Sequence, residues 1–301
     1  MPKTFQACAA ALISLCVCSA AAVAQDSDRE VERDRDRDRD QPTAREACAG
    51  LPTFDQLRSA LIKANNEKGG LQLQAGGNNM WATVVNRDGV VCAVASTGRQ
   101  RGDQWPGSRA ISAQKANTAN AFSLPEFALS TANLYAAVQP GGSLFGIQES
   151  NPVSTTVAYR GDPANYGTAN DPMIGRRIGG INVFGGGLAL YQATNPSSRD
   201  NTLIGAIGVS GDTSCRDHRV AWQARFGLGL DAVPQGVSRD KVGPDNIIYD
   251  IPLGNLSAPP TEGARFLSPG GFGHPQCDGT EATLAANLSP TSGSRKVATA
   301  R

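Results

Sequence analysis

The order of hydrophobic periodicities predicts an α+β fold, a central antiparallel sheet of about five strands covered by helices. Three observations carry this prediction. Two β-branched runs, WATVV and VVCAVA, flank the turn Asn86-Arg87-Asp88-Gly89, whose Asp-Gly pair signals a hairpin. Further apolar runs, INVF, LALYQ and TLIGAIGVSG, are punctuated by glycines. Helical spacing precedes, separates and follows these strands.

Taken in order, the first helix begins at Thr53, with Gln56 completing a capping box. Leu57, Leu61, Ile62 and Ala64 form its buried stripe, and Gly69-Gly70 stops it. The hairpin of residues 81–95 follows. Ser108 is the expected N-cap of the next helix, on which Ile111, Lys115, Thr118 and Phe122 fall at i, i+4, i+7 and i+11. A lysine head on such a stripe either reaches out to water or meets an anion. A second helix is expected from Pro125, with Phe127, Leu134 and Val138 inward and Gly141-Gly142 at its end. Residues 143–178 are polar and irregular, an excursion whose length marks a functional or mobile segment. The three remaining apolar runs are expected strands, and a helix from Ser214 through Phe226 closes the core.

The ends read differently. Lys3, the apolar run from Ala9 to Val23 and the site Ala22-Val23-Ala24 mark residues 1–24 as a signal peptide cleaved after Ala24. Residues 25–47 alternate Arg and Asp, offer no apolar face and read as a disordered linker. Residues 48–235 are the folded domain. Residues 236–301 are a Pro/Gly-rich extension, partly disordered, strapped to the core and containing one strand-like patch, NIIYDI. No mature stretch approaches ~20 apolar residues, so membrane insertion is not expected. The formal charge of +1 falls to zero when Lys3 leaves, which disfavours a nucleic-acid partner.

Seven cysteines reduce to four after cleavage: Cys48, Cys92, Cys215 and Cys277. Three connectivities, or four reduced thiols, are open. The pairing favoured is Cys48–Cys92, tying the segment before the first helix to the hairpin, and Cys215–Cys277, pinning the extension. No C-x-x-C occurs, which disfavours a zinc site; the identity of any other bound metal stays open.

The segments SRAISAQKANTANAF, LYAAVQPGG, GGINVF and IGAIGVSGDTSCRDHRVA, in that order, resemble the secreted haem-binding, and in some members haem-degrading, family of the GlcG/HbpS type. A related module closes proteins of the PduO type. The resemblance covers about residues 50–235. It implies helices on both faces of the sheet, a three-layer α/β/α arrangement, assembly into homo-oligomers, and haem or a similar small molecule as ligand. Lys115, inside the matched KANTA segment, would pair a propionate. Thr118 would approach the porphyrin, unless it bonds back to its own helix. Phe122 completes the stripe. His218, sharing a helical face with Trp222 and Arg225, and Tyr135 are the candidate iron ligands; Met80 and Met173 read as fillers.

No catalytic residue emerges. Ser210, Asp212 and His218 are close in sequence, yet IGVSGD lacks the last glycine of a nucleophile elbow. GGIN and FGGGLAL match phosphate loops only in glycine content. The chain therefore reads as an exported, periplasmic or secreted haem-binding protein that sequesters, carries or senses haem or iron. The alternatives are a small-molecule-modifying enzyme or accessory subunit on the same fold, and a structural oligomer without ligand.

Overall fold

Asn86 organises the first turn: its Oδ1 accepts the Asp88 and Val90 N–H groups, each at 2.9 Å, and Gly89 follows at φ +74°. That turn folds β1 (Trp81–Asn86) onto β2 (Val91–Ser96), with Trp81 opposite Ser96. The computed structural model describes residues 43–66, 79–194, 201–251, 268–277, 283, 285 and 288–291. The signal peptide, the Arg/Asp linker up to residue 42 and the Gly69-Gly70 stop lie outside the described residues. With β3 (Gly187–Ala193) and β4 (Asn201–Ser210), the strands form one sheet in the order β2-β1-β4-β3, every neighbouring pair antiparallel.

The described sheet thus has four strands where about five were expected. Ile181–Phe184 is the difference. Its amide groups are taken by other acceptors: Ile181 N–H by Asn151 O (3.2 Å), Asn182 N–H by Thr118 Oγ1 (2.9 Å), Val183 N–H by Gln148 Oε1 (3.3 Å) and Phe184 N–H by Asn182 Oδ1 (3.2 Å). None is left for a ladder. NIIYDI is likewise not a strand; it makes one isolated bridge, Ile251 to Pro275.

The helices are α1 (Ala44–Ala47), α2 (Phe54–Asn66), α3 (Gly107–Phe122), the short α4 (Ile147–Ser150) and α5 (Thr155–Ala158), and α6 (Ser214–Gly227). The capping box opens α2: Thr53 N–H reaches Gln56 Oε1 at 2.9 Å, and Gln56 N–H reaches Thr53 Oγ1 at 3.4 Å. Leu57, Leu61 and Ala64 are buried on it, and Ile62 half-buried. Ser108 lies inside α3, not at its cap; Pro106 precedes the first turn. Thr213 caps α6, its side chain accepting from Arg216 N–H at 3.2 Å.

The expected second helix of the pair is absent. Leu124 and Phe127 exchange backbone hydrogen bonds across a tight turn, and two 3₁₀ turns follow, Thr131–Leu134 and Ala136–Val138. Two interactions, one distant and one local, compete with helix formation. Ala128 N–H is drawn to Gln235 O at 2.7 Å, and Asn133 Oδ1 accepts from both Ser130 N–H and Ser130 Oγ.

Side-chain alternation assigns the two faces of the sheet. Ala82, Val84, Leu188, Leu190, Ile207 and Val209 face α2 and α6. Trp81, Val85, Val94 and Ala206 face α3, which presents Ala110, Ala113, Ala116 and Ala119. The architecture is α+β with three layers, α/β/α. Glycine at 208 lets α3 come this close, because a Cβ there would overlap the Ser112 carbonyl oxygen. The excursion 143–178 is anchored to α3 by a buried ion pair of Arg109 with Asp171, with Tyr166 stacked 3.7 Å from the guanidinium carbon. Met80 and Met173 are both fully buried core residues.

Two disulfides are present. Cys48–Cys92 joins the residue after α1 to β2, and Cys215–Cys277 joins α6 to the extension. No helix among the described residues is long and apolar enough to cross a membrane.

Substituting Gly208→Ala should destabilise the fold by about 1–3 kcal/mol or more, since the added methyl meets helix backbone that has no rotamer to yield. The urea midpoint measures this; a midpoint equal to wild type would contradict the close helix–sheet contact.

Candidate functional site

Lys115 and His218 meet at the turn Gly185-Gly186, between α3 and the first turns of α6, and Tyr135 stands beside His274. Small residues set this up. Gly187 and Gly208 let the α3 backbone lie on β3 and β4, so Lys115 projects along the sheet rather than away from it. Its Nζ donates to Val209 O at 3.1 Å and pairs with Asp217 Oδ2 at 2.7 Å. The ammonium is 1% exposed, so its charge is met inside the protein. Asp217 Oδ1 also accepts from Asp212 N–H at 2.9 Å. Burial pushes the Asp217 carboxyl up to about 6, and the facing Lys115 charge keeps it from rising further.

Thr118 and Phe122 lie further along α3. Thr118 Oγ1 donates to Gln114 O at 2.7 Å, the back-bond to its own helix, and accepts from Asn182 N–H. It clamps the Ile181–Phe184 segment. Phe122 packs, partly buried, with Leu134, Val138 and Val183. Both therefore contact the segment that leads into Gly185-Gly186.

His218 is 1% exposed, and neither ring nitrogen has a hydrogen-bond partner of good geometry among the described residues. Its ring lies 5.9 Å from that of Trp222, over which the Arg225 guanidinium is stacked at 4.6 Å. Burial, with the Arg225 charge second, drives the imidazole pKa down to about 3, and only Asn246 favours the charged form. His218 is a neutral imidazole. It bonds to neither Ser210 nor Asp212, and Asp212 pairs with Arg216 at 3.4 Å, so no Ser-His-Asp relay forms there.

One residue went unrecognised in the sequence. His274, from HPQC in the extension, stacks 4.8 Å from Tyr135 and bonds Ser214 Oγ through Nε2 at 2.8 Å. Its Nδ1 lies 2.6 Å from Pro275 O, which can only accept, so Nδ1 carries the proton and Nε2 accepts from Ser214. Ser214 Oγ in turn accepts from Gly185 N–H at 2.5 Å. The hydroxyl is held at both ends, as in a strut. Burial lowers the His274 pKa to about 4 and raises that of the Tyr135 phenol. Sequence spacing held a clue. Ser214, His218, Trp222 and Arg225 form one helical stripe, too polar to be buried without a covering layer. A separate cleft of about 690 Å³ is lined by the extension, including Ile247, Tyr249 and Phe272, and by none of the predicted residues.

A sequence model of haem-degrading proteins, HbpS-like, matches residues 60–225, more than half of the 301. The chain belongs to the HbpS-like family. Three solved structures are similar to this HbpS-like chain. Klebsiella pneumoniae protein ORFY is 24% identical, with a TM-score of 0.37, over 59% of this chain and 90% of that one. A PduOC–haem complex is 20% identical, TM-score 0.39, over 60% and 94%. HbpS is 15% identical, TM-score 0.33, over 58% and 86%. No curated protein matches the chain. The HbpS-like match ends at Arg225, so the extension that covers α6 lies beyond it.

Removing one member of the Lys115–Asp217 pair should cost about 3–5 kcal/mol, because a buried charge is left without its partner. The double variant Lys115→Met/Asp217→Leu should lose much less than the sum. Urea unfolding of the four proteins measures the coupling, and strictly additive losses would contradict the pair. Acid should also weaken the fold. Below the ordinary histidine value of 6.5 the unfolded chain takes up protons that His218 and His274 refuse. Each then removes up to ~1.4 kcal/mol per pH unit, until pH reaches its folded value. Asp217 acts in the opposite sense between about 6 and 3.8, so the net slope from pH 6.5 to 4.5 remains a loss. The urea midpoint should fall over that range in the wild type and rise slightly in the His218→Gln/His274→Gln variant, where only Asp217 contributes; a flat wild-type midpoint would refute the neutral assignment.

Proposed function

We propose that the protein is an exported haem-binding protein that sequesters, carries or senses haem. Membership of the HbpS-like family is the observation that carries this reading. The donor set supports it. Haem iron accepts an imidazole, thiolate, thioether or phenolate, and its porphyrin needs a flat apolar surface with cations for two propionates. His218 supplies a neutral imidazole with unpartnered nitrogens, a form ready to ligate. Trp222 supplies a ring face beside it, and Arg225 a cation. Tyr135, half-buried beside His274, is the second candidate ligand.

Haem would bring a redox-active iron; the chain's own residues would orient it and exclude water. Lys115 would offer its charge to a propionate while remaining paired with Asp217, and Arg225 would reach one by exchanging Asp245. Thr118 would act by holding the segment Ile181–Phe184, and Phe122 by packing behind it. The two disulfides and the signal-like residues 1–24 support an oxidising destination, periplasmic or extracellular. The folded domain of residues 48–235 would assemble as a homo-oligomer, with the Arg/Asp-rich segment as a linker ahead of it.

Titrating the mature protein to equilibrium with haemin should produce a shifted Soret band. His218→Ala should weaken binding at least ~10-fold, the worth of a lost ligand of about 1.4 kcal/mol or more, with an unchanged circular dichroism spectrum. Haemin remaining spectroscopically free at micromolar protein would overturn the proposal.

A further inference from the structure

The polar stripe of α6 is covered residue by residue. Ser214, His218, Trp222 and Arg225 stand at i, i+4, i+8 and i+11, one face of the helix. The extension covers all four, and Arg225 also donates to Ala189 O of β3 at 3.1 Å. His274 meets Ser214, and Asn246 sets the polar environment of His218. Trp222 Nε1 donates to Ser289 O at 2.9 Å, and Gly243 lies so close to the indole that a Cβ would come within 2.8 Å of it. Arg225 makes a two-pronged pair with Asp245, at 2.5 and 3.0 Å, both side chains fully buried. The cover is internally ordered: His274 N–H bonds Ile248 O at 2.7 Å, and Thr291 N–H bonds Val242 O at 2.8 Å. One covalent link holds it to the helix, Cys215–Cys277.

This cover is chemically suggestive. An aromatic face, a neutral imidazole and a guanidinium already gripping a carboxylate are what a flat acidic ligand would use. Asp245 stands where the acid group of such a ligand would stand.

We propose that residues 242–251 and 268–277 form a strap latched by Cys215–Cys277, and that releasing the latch frees His218, Trp222 and Arg225 to dock a flat acidic ligand whose carboxylate replaces Asp245. The identity of that ligand as haem rests on the functional reading above. Carboxylate exchange makes opening tolerable, because Arg225 passes from one acid to another and is not left bare. The latch opens by thiol–disulfide exchange with a dithiol reductant. Its thiolate attacks the partly exposed Cys277 sulfur and Cys215 leaves as a thiolate that takes a proton. The second thiol of the reductant then releases Cys277, so two electrons pass to the protein and the reductant becomes a disulfide. Cys48–Cys92 lies at β2 and does not hold the strap.

The test compares haemin association by stopped-flow in the wild type, in Cys215→Ser/Cys277→Ser, and in Cys48→Ser/Cys92→Ser as the control. Opening the latch should speed association at least ~10-fold, because the competent state is no longer a small fraction of the population. The control should behave as wild type. Asp245→Asn, which leaves both disulfides intact, should accelerate binding in the same direction and guards against a latch variant that folds poorly. Hydrogen exchange provides the second readout: the amides of Asn246 and His274 should lose protection in the latch variant while those of β4 keep theirs. Equilibrium binding of haemin with the same association rate in every variant would overturn the strap alone. No binding in any variant, with the strap amides unprotected, would overturn the haem reading and the strap's gating role together.

Discussion

The pair between Lys115 and Asp217 is the interaction on which the rest of the arrangement depends. The two residues come from helices on opposite faces of the sheet and meet beyond the end of β4, with the Val209 carbonyl as third partner. Two charges placed 1% and 3% exposed are costly to desolvate, and only close mutual contact makes the placement sustainable. The pair consequently specifies geometry more than it adds stability. It sets how far α3 may slide along the sheet and where α6 may begin. The glycines at 186, 187 and 208 exist in the same economy of space, since side chains there would push the helices apart and separate the charges.

A second constraint follows from α6. Its inner face, with Val220, Ala221 and Ala224, satisfies the core in the ordinary way. The flank beside it carries Ser214, His218, Trp222 and Arg225, all but Ser214 almost fully buried, and this flank meets the Gly185 turn and Ala189 of β3 as well as the extension. Such a helix cannot be an outer layer in water without leaving polar groups to solvent, nor a dry one without partners for them. The extension resolves this by bringing Asp245 and His274 to it. The α/β/α core is thereby covered along this flank by residues that lie beyond the family match.

Function and fold meet at the same place. The HbpS-like core provides small, close-packed elements, whereas His218, Trp222 and Arg225, the residues of the proposed site, lie where the extension covers α6. Burial and the nearby Arg225 charge make the charged form of His218 costly, so its proton affinity is depressed and the ring stays neutral. Buried polar groups of this kind cluster where a protein has work for them.

Much of the fold was legible in local sequence. The Asp88-Gly89 turn, the Thr53/Gln56 capping box, the body of α3, the extent of α6 and the pairing chosen for the four cysteines all correspond to what the structure contains. Each depends on neighbours a few residues apart or, for the cysteines, on a small number of combinations. The failures share a different physical origin. The helix expected from Pro125 and the strand expected at Ile181–Phe184 were lost to hydrogen bonds that their N–H groups donate to Gln235, Thr118, Gln148 and Asn151, partners that no local pattern names. The candidate site divides in the same way. Residue types and helical spacing by themselves put Lys115 and Thr118 on one stripe and His218 with Trp222 and Arg225 on another. Only the tertiary structure decided that Lys115 would meet Asp217, 102 residues away, and that His274 and Asp245 would close over α6. Periodicity encodes which face of an element is turned inward; which charge waits there is set by how the whole chain packs.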